Sequence, residues 1–271
     1  MDALTALRLQ IEWGADEALE AEAVNRLRPA PTRAPALAVA PHDSASESVA
    51  PARRAATPTG ATTARVAPTE RAINAAADAT TLAGLRAAIA AFDGSALRDT
   101  ATNLVFLEGD PACGLLFVGE APNADADRTG SPFAGPVGAY LELMLRSIGL
   151  ERSALCLAPL IPWRPPGDRP PSAAEVATCL PFLHRLITLV GPRRIVTLGP
   201  LPARALLGVT TLRRRTPPVW TDTAIPGVAT KIPILPMPSV AILLRTTTQR
   251  RHAWADLRLL RHSLDANFTH T

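Results

Sequence analysis

The chain has 271 residues, 47% of them hydrophobic, with 28 Lys and Arg against 24 Asp and Glu and a net charge of +4. This length buries one full core and a small appendage, and no unbroken apolar run approaches the length that spans a bilayer. Three cysteines, Cys113, Cys156 and Cys179, form no C-x-x-C pair, a sparse and odd set that suits reduced thiols. The start, Met1 to Trp13, carries Asp2 and Glu12 and is apolar at helical spacing rather than continuously, so no signal-peptide pattern is visible and a cytoplasmic protein is expected. The positive charge permits attraction to a polyanion. Lys231 is the sole lysine, however, and coding bias toward arginine, alanine and proline explains the charge equally well.

Leu4, Leu7, Leu9, Ile11, Leu19 and Val24 lie in an Ala/Glu/Arg-rich background and predict one or two short helices, a helical appendage over residues 1–28. Pro29, Pro31, Pro35, Pro41, Pro51, Pro58 and Pro68 then punctuate an Ala/Ser/Thr stretch with few large apolar side chains. Such a segment buries too little surface to offset its ordering entropy, so residues 29–70 are read as a disordered linker ahead of a domain over 71–271.

From Thr80 the apolar periodicity returns. Leu82, Leu85, Ile89 and Phe92 make a helix face, followed by short strands near Asn103 to Phe106 and Leu115 to Val118. A helix is predicted from Val137 to Ile148 and a strand around Ala154 to Ala158. The next helix, Glu175 to Val190, starts from Ser172 as N-cap with Glu175 completing a capping box. Strand Arg194 to Leu198, helix Leu201 to Leu207, strand Ile232 to Leu235 and a closing helix Thr248 to Ser263 complete the series. Strands alternating with helices imply a parallel sheet covered on both faces.

The run Leu115 to Val118 feeds into Gly119-Glu120-Ala121-Pro122-Asn123 and then Asp127-Arg128-Thr129-Gly130-Ser131-Pro132-Phe133-Ala134-Gly135. A strand, a loop and a helix in this order place a ligand at the carboxyl end of an open α/β sheet. The loop resembles the first motif of the family 4, iron-sulfur type enzymes of the uracil-DNA glycosylase superfamily. Leu160-Ile161-Pro162-Trp163-Arg164-Pro165-Pro166-Gly167-Asp168-Arg169 is similar to that family's Arg-Pro-Pro-Gly-Asn-Arg stretch, and Ser239-Val240-Ala241-Ile242-Leu243-Leu244-Arg245 to its third motif, His-Pro-x-Tyr-Leu-Leu-Arg. With Val196-Thr197-Leu198-Gly199 and Trp254-Ala255-Asp256-Leu257, the likeness covers about Phe92 to His262, roughly two thirds of the chain.

The resemblance implies a three-layer α/β/α sandwich with a short parallel central sheet, and a role in base excision repair in which uracil is removed from DNA through an extruded nucleotide. It implies that Phe133 stacks on the flipped base, worth roughly 1 to 3 kcal/mol, and that Glu120 activates water or stabilises the sugar cation. Ala121 belongs to the same base-binding loop. Asn123 replaces the family's glycine with the next most tolerant residue for that backbone. Asp127 and Arg128 match acidic and variable positions, as a solvated turn or as DNA contacts.

Three departures accompany the match. The family's base-reading Asn is here Pro159, which has neither an amide side chain nor a backbone N–H. Its His becomes Ser239; a register that pairs Met237-Pro238-Ser239 with His-Pro-Ser also lacks the imidazole. Losing one donor to a developing oxyanion typically costs about 2.7 to 4 kcal/mol. The four cluster cysteines correspond to Phe92, Ser95, Trp163 and Cys179, so one thiol remains and neither a 4Fe-4S cluster nor another metal is expected. DNA is the expected partner, with Arg164, Arg169 and a wedge Leu243-Leu244-Arg245 as contacts, while Arg213 to Arg215 are read as a solvated charge run rather than a DNA contact. The domain is expected to act as a monomer, with the N-terminal helical segment the candidate contact for a protein partner. His184 and His252 fall inside predicted helices and are read as structural. Two functions of different class stay open: a DNA glycosylase of weakened or lost activity using Glu120 and Phe133 with Ser239 in part replacing the His, and a catalytically inactive paralogue that binds DNA or a repair partner.

Overall fold

The computed structural model describes residues 67–208 and 219–268. The expected appendage, nearly all of the expected linker and Arg213 to Arg215 lie outside the described residues. The first helix, α1 (Pro68–Asp78), starts inside the stretch read as linker, with Pro68 at its first turn, where a missing N–H has no cost. It leads into α2 (Leu82–Ala91), capped by the Thr81 hydroxyl, which accepts from the Gly84 N–H at 3.0 Å.

Strands β1 (Leu115–Gly119), β2 (Cys156–Pro159), β3 (Arg194–Leu198), β4 (Thr221–Thr223) and β5 (Ile232–Met237) form one sheet in the order β2-β1-β3-β5-β4. All pairings are parallel except β4 with β5. The short polar β4 carries no apolar signal and was not foreseen. The remaining α-helices among the described residues are α3 (Ala96–Thr100), α4 (Ala124–Thr129), α5 (Pro136–Ser147), α6 (Ala173–Val190), α7 (Pro200–Leu207), α8 (Val240–Arg245) and α9 (Thr247–Phe268).

Alternation along the strands divides the core in two. Leu116, Val118, Cys156, Ala158, Ile195 and Ile234 point to one face and pack with α1, α2 and α6. Leu115, Phe117, Leu157, Val196, Leu235 and Met237 point to the other, against α5, α8 and α9. Side chains buried on both faces explain why the strands read as continuous apolar runs. The three-layer α/β/α sandwich expected from the sequence is the architecture observed.

Helix α6 carries the capping box foreseen at Ser172 and Glu175, with both reciprocal hydrogen bonds formed. By length and composition alone this helix passes for a membrane span, contrary to the reading of the apolar runs, yet Phe182, Leu183, Leu186 and Ile187 are buried in the core of the domain. The strand expected near Asn103 to Phe106 does not form. That segment is irregular and lies against the outer edge of β2, tied by the Val105 N–H to the Pro162 carbonyl and by an antiparallel bridge between Glu108 and Leu157.

Candidate active site

The carboxyl ends of β1, β2, β3 and β5 open onto one cavity of about 110 Å³. Glu120, Ala121, Asn123, Phe133, Pro159 and Ser239, drawn from three separate sequence motifs, all line it. They meet because parallel strands deliver their following loops to the same edge of the sheet, with Gly119 of β1 directly opposite Pro159 of β2. Val105, Leu198, Val137 and Val240 complete its apolar walls.

Glu120 is held from across the sheet. Its Oε1 accepts the Leu201 N–H at 3.3 Å, at the first turn of α7, where helix N–H groups favour a carboxylate. Burial nevertheless keeps this carboxyl above its usual range, partly offset by that hydrogen bond. Room for it depends on Gly199, whose φ is +112°; a Cβ there would stand 2.6 Å from Cδ of Glu120. The resemblance through Val196-Thr197-Leu198-Gly199 gives Gly199 no such role.

Phe133 has a left-handed backbone, φ 53°, unusual for an aromatic residue. Its ring edge lies against Gly119, where an added Cβ would meet it at 2.5 Å. Arg152, which no sequence signal identified, holds this turn. Its guanidinium donates to the Pro132 carbonyl at 2.7 Å and the Phe133 carbonyl at 3.5 Å, and pairs with Glu108. Gly138 gives the Phe133 carbonyl its space.

Asn123 caps α4: its Oδ1 accepts the Ala126 N–H at 2.8 Å. This helix was unforeseen, and it changes the reading of Asp127. Rather than standing in a solvated turn or on DNA, Asp127 is buried and accepts from the N–H groups of Thr102 and Asn103 at 2.8 and 3.1 Å, fixing the segment that leads to Val105 in the cavity wall. Ser239 is buried at the start of α8, and its hydroxyl caps no backbone N–H.

The expected DNA contacts are arranged differently from the expectation. Leu243 is wholly buried between α5 and α9, because it falls on the inner side of α8, so it is no exposed wedge. The large apolar side chain exposed on this turn is Ile242, followed by half-buried Leu244 and exposed Arg245. Arg164 donates to Asp168 at 2.7 Å, and Arg169 grips both carboxylate oxygens of Glu175 at 2.6 and 2.9 Å. Both arginines lie outside the cavity, engaged in shaping the proline-rich loop. His184 is partly buried on α6, with its pKa lowered by burial, and His252 is exposed on α9.

The four positions matched to cluster ligands do gather in one region. Phe92 packs edge-on against Phe182 with ring centroids 5.1 Å apart, Trp163 and Cys179 are buried in the same core, and the buried Ser95 hydroxyl has no hydrogen-bond partner. The Cys179 thiol is pushed up to about 12 by burial and by the charge of Glu175. Two aromatic rings and one neutral thiol do not fit a four-thiolate cluster.

The family model described as the uracil DNA glycosylase superfamily matches residues 106–258. The type-4 uracil-DNA glycosylase of Pyrobaculum aerophilum is 40% identical over 105 residues, 39% of this chain and 54% of that protein. The type-4 uracil-DNA glycosylase of Sulfurisphaera tokodaii is 42% identical over 99 residues, 36% of this chain and 45% of that protein. That of Archaeoglobus fulgidus is 38% identical over 113 residues, 42% of this chain and 57% of that protein. The chain thus spans about half the length of the curated relatives it matches. With more than half its length covered by the family model, the chain belongs to the uracil DNA glycosylase superfamily.

Proposed function

We propose that this chain is a DNA base glycosylase of base excision repair, working in the cytoplasm as a monomer on an extruded nucleotide. The observation that carries the reading is the convergence of Glu120, Phe133 and Ser239 on one cavity. In this reading Phe133 stacks on the base, and Glu120 takes a proton from the water that adds to the sugar carbon as the N-glycosidic bond breaks. The bonding pair leaves with the base, and the Ser239 hydroxyl donates to the base oxygen that gains charge. One neutral donor replaces a stronger one, and Pro159 offers neither a side-chain hydrogen bond nor an N–H, so turnover on uracil is slow.

The reading includes no iron-sulfur cluster. The donor chemistry at Phe92, Ser95, Trp163 and Cys179 supports this, and no step depends on such a group. Among the described residues no group of three or more His, Cys, Asp or Glu is placed to hold a metal ion. DNA is the partner, approached through the face that carries Ile242, Leu244 and Arg245, while a protein partner for residues 1–28 remains part of the proposal.

Pro159 and Ser239 also favour a second reading, an inactive paralogue that binds DNA without cutting it. A strand-nicking assay on single- and double-stranded DNA containing one uracil separates the two. Slow release abolished by Glu120→Gln supports the glycosylase, whereas binding with no release, unaltered by Pro159→Asn with Ser239→His, supports the binding module. Fast wild-type release insensitive to Glu120→Gln overturns the pocket assignment.

A further inference from the structure

Two of the cysteines meet at the end of the sheet opposite the cavity. Cys113 closes the single turn Pro111–Cys113 that precedes β1, and Cys156 is the first residue of β2. Both are thiols, and their sulfurs stand 3.9 Å apart although the residues lie 43 positions apart in the chain. Backbone on both sides of Cys113 fixes this approach. Glu108 and Leu157 each donate an N–H to the other's carbonyl, at 2.9 and 2.8 Å, and the Gly114 carbonyl accepts the N–H groups of Arg193 and Arg194 at 2.8 and 3.2 Å.

The pair is asymmetric. Cys113 is partly exposed, whereas Cys156 is wholly buried. Burial first, and then the neighbouring Cys113, pushes Cys156 up to about 12, so it rests as a neutral thiol. An oxidant from solvent therefore meets Cys113 first. A disulfide needs its sulfurs at about 2 Å. Cys113 can close that gap because the hydrogen bonds of its turn, from the N–H groups of Ala112, Cys113 and Gly114, all stay within residues 110–114.

We infer that Cys113 and Cys156 form an oxidant-responsive dithiol, a modification site at which hydrogen peroxide oxidises Cys113 and Cys156 converts the product to a disulfide. The Cys113 sulfur attacks one peroxide oxygen, the O–O bond breaks, and a sulfenic acid and one water result. The Cys156 sulfur then attacks the Cys113 sulfur, the S–O bond breaks, and the departing hydroxide takes the Cys156 proton as a second water. Two thiols thereby give up two electrons and two protons, and the peroxide is reduced to two waters. The ring closed by this bond contains β1, α4, the Phe133 turn and α5. Oxidation stabilises the part of the chain that carries Glu120, Asn123 and Phe133 by constraining its unfolded state, and it leaves the cavity walls unchanged. The inference is independent of what the cavity binds.

The test treats the full chain with a small excess of hydrogen peroxide and maps its peptides by mass spectrometry without reduction, with Cys179, wholly buried on α6, as the internal control. The expected product is an intramolecular Cys113–Cys156 disulfide, lighter by two hydrogens and reversed by dithiothreitol, with Tm raised by roughly 5 to 15 °C. Cys156→Ala is expected to leave a sulfenic acid on Cys113 that dimedone traps. Should that variant not fold, Cys113→Ser, at a partly exposed turn, is expected to lose both the disulfide and the rise in Tm. No change in mass, a sulfinic acid on Cys113 without a disulfide, or bridges that involve Cys179 or a second chain would each overturn the dithiol. A Cys113–Cys156 disulfide with unchanged Tm upholds the modification site and overturns the stabilisation.

Discussion

Gly199→Ala is the substitution through which the geometry of the site is most directly measured. Gly199 sits at φ +112°, a conformation that holds an L side chain only under strain, on the order of 1 to 3 kcal/mol. Its new Cβ would also stand 2.6 Å from Cδ and 2.7 Å from Oε1 of Glu120. The carboxylate must therefore move, and the 3.3 Å bond from the Leu201 N–H is lengthened or lost, a further cost of about 1 kcal/mol. Together these amount to about 2 to 4 kcal/mol, or roughly 5 to 15 °C in Tm for a domain of this size. Gly208→Ala is the control, because Gly208 has φ +66° with nothing within 4 Å of an added Cβ and so reports strain alone. Thermal unfolding followed by circular dichroism gives both values. In a Glu120→Ala background the clash vanishes, so the Gly199→Ala cost is expected to fall toward that of the control. A cost no greater than the control, or one unchanged by removing the Glu120 side chain, would refute the packing of Gly199 against the carboxylate.

Other consequences are open to measurement. Burial raises Asp256 to about 6, so its contribution to stability is fully present below about pH 4 and is lost as pH rises through about 6. Asp256→Asn is therefore expected to stabilise at neutral pH by roughly 2 to 3 kcal/mol and to be near neutral at pH 4; urea melts at the two pH values with the same difference would count against this. Glu175 is lowered to about 2, first by the Arg169 guanidinium, so its contribution is present above its unfolded pKa and disappears as pH falls through about 2. Removing its capping partner with Ser172→Ala is expected to cost about 1 kcal/mol in chemical denaturation, and no measurable cost contradicts the observed cap. Arg152→Met is expected to free the Pro132 and Phe133 carbonyls and weaken binding to an abasic-free lesion duplex without altering far-UV dichroism; unchanged affinity would show that Phe133 needs no such clamp. Elemental analysis of the purified protein is expected to find no iron, and one cluster equivalent per chain would sink the alignment at Phe92 and Trp163.

The sequence by itself determined the layers and most of the cavity. The run Leu115 to Val118 is apolar throughout, and Ile195, Val196 and Leu198 dominate the strand from Arg194 to Leu198, because both faces of the sheet are covered, and that pattern needs no knowledge of long-range contacts. Glu120, Phe133, Pro159 and Ser239 were legible through the resemblance of their motifs, and three of them, Glu120 after β1, Pro159 closing β2 and Ser239 after β5, stand where parallel strands bring such positions to one edge. The structure alone decided how those side chains are held. Glu120 depends on a helix 81 residues further along, Asp127 on backbone 25 residues before it, and Phe133 on an arginine 19 residues after it. None of these partners stands at a periodic spacing from what it supports. The burial of Leu243 and exposure of Ile242 likewise follow from how α8 is turned between α5 and α9, which the motif Leu243-Leu244-Arg245 does not encode. Local pattern reveals most of the apolar elements and which end carries chemistry, because those depend on a residue and its near neighbours, whereas the short polar β4, α4 and the irregular segment at 103–106 carry no such pattern. Orientation, donor satisfaction and strain depend on distant atoms, and only the folded chain brings them together.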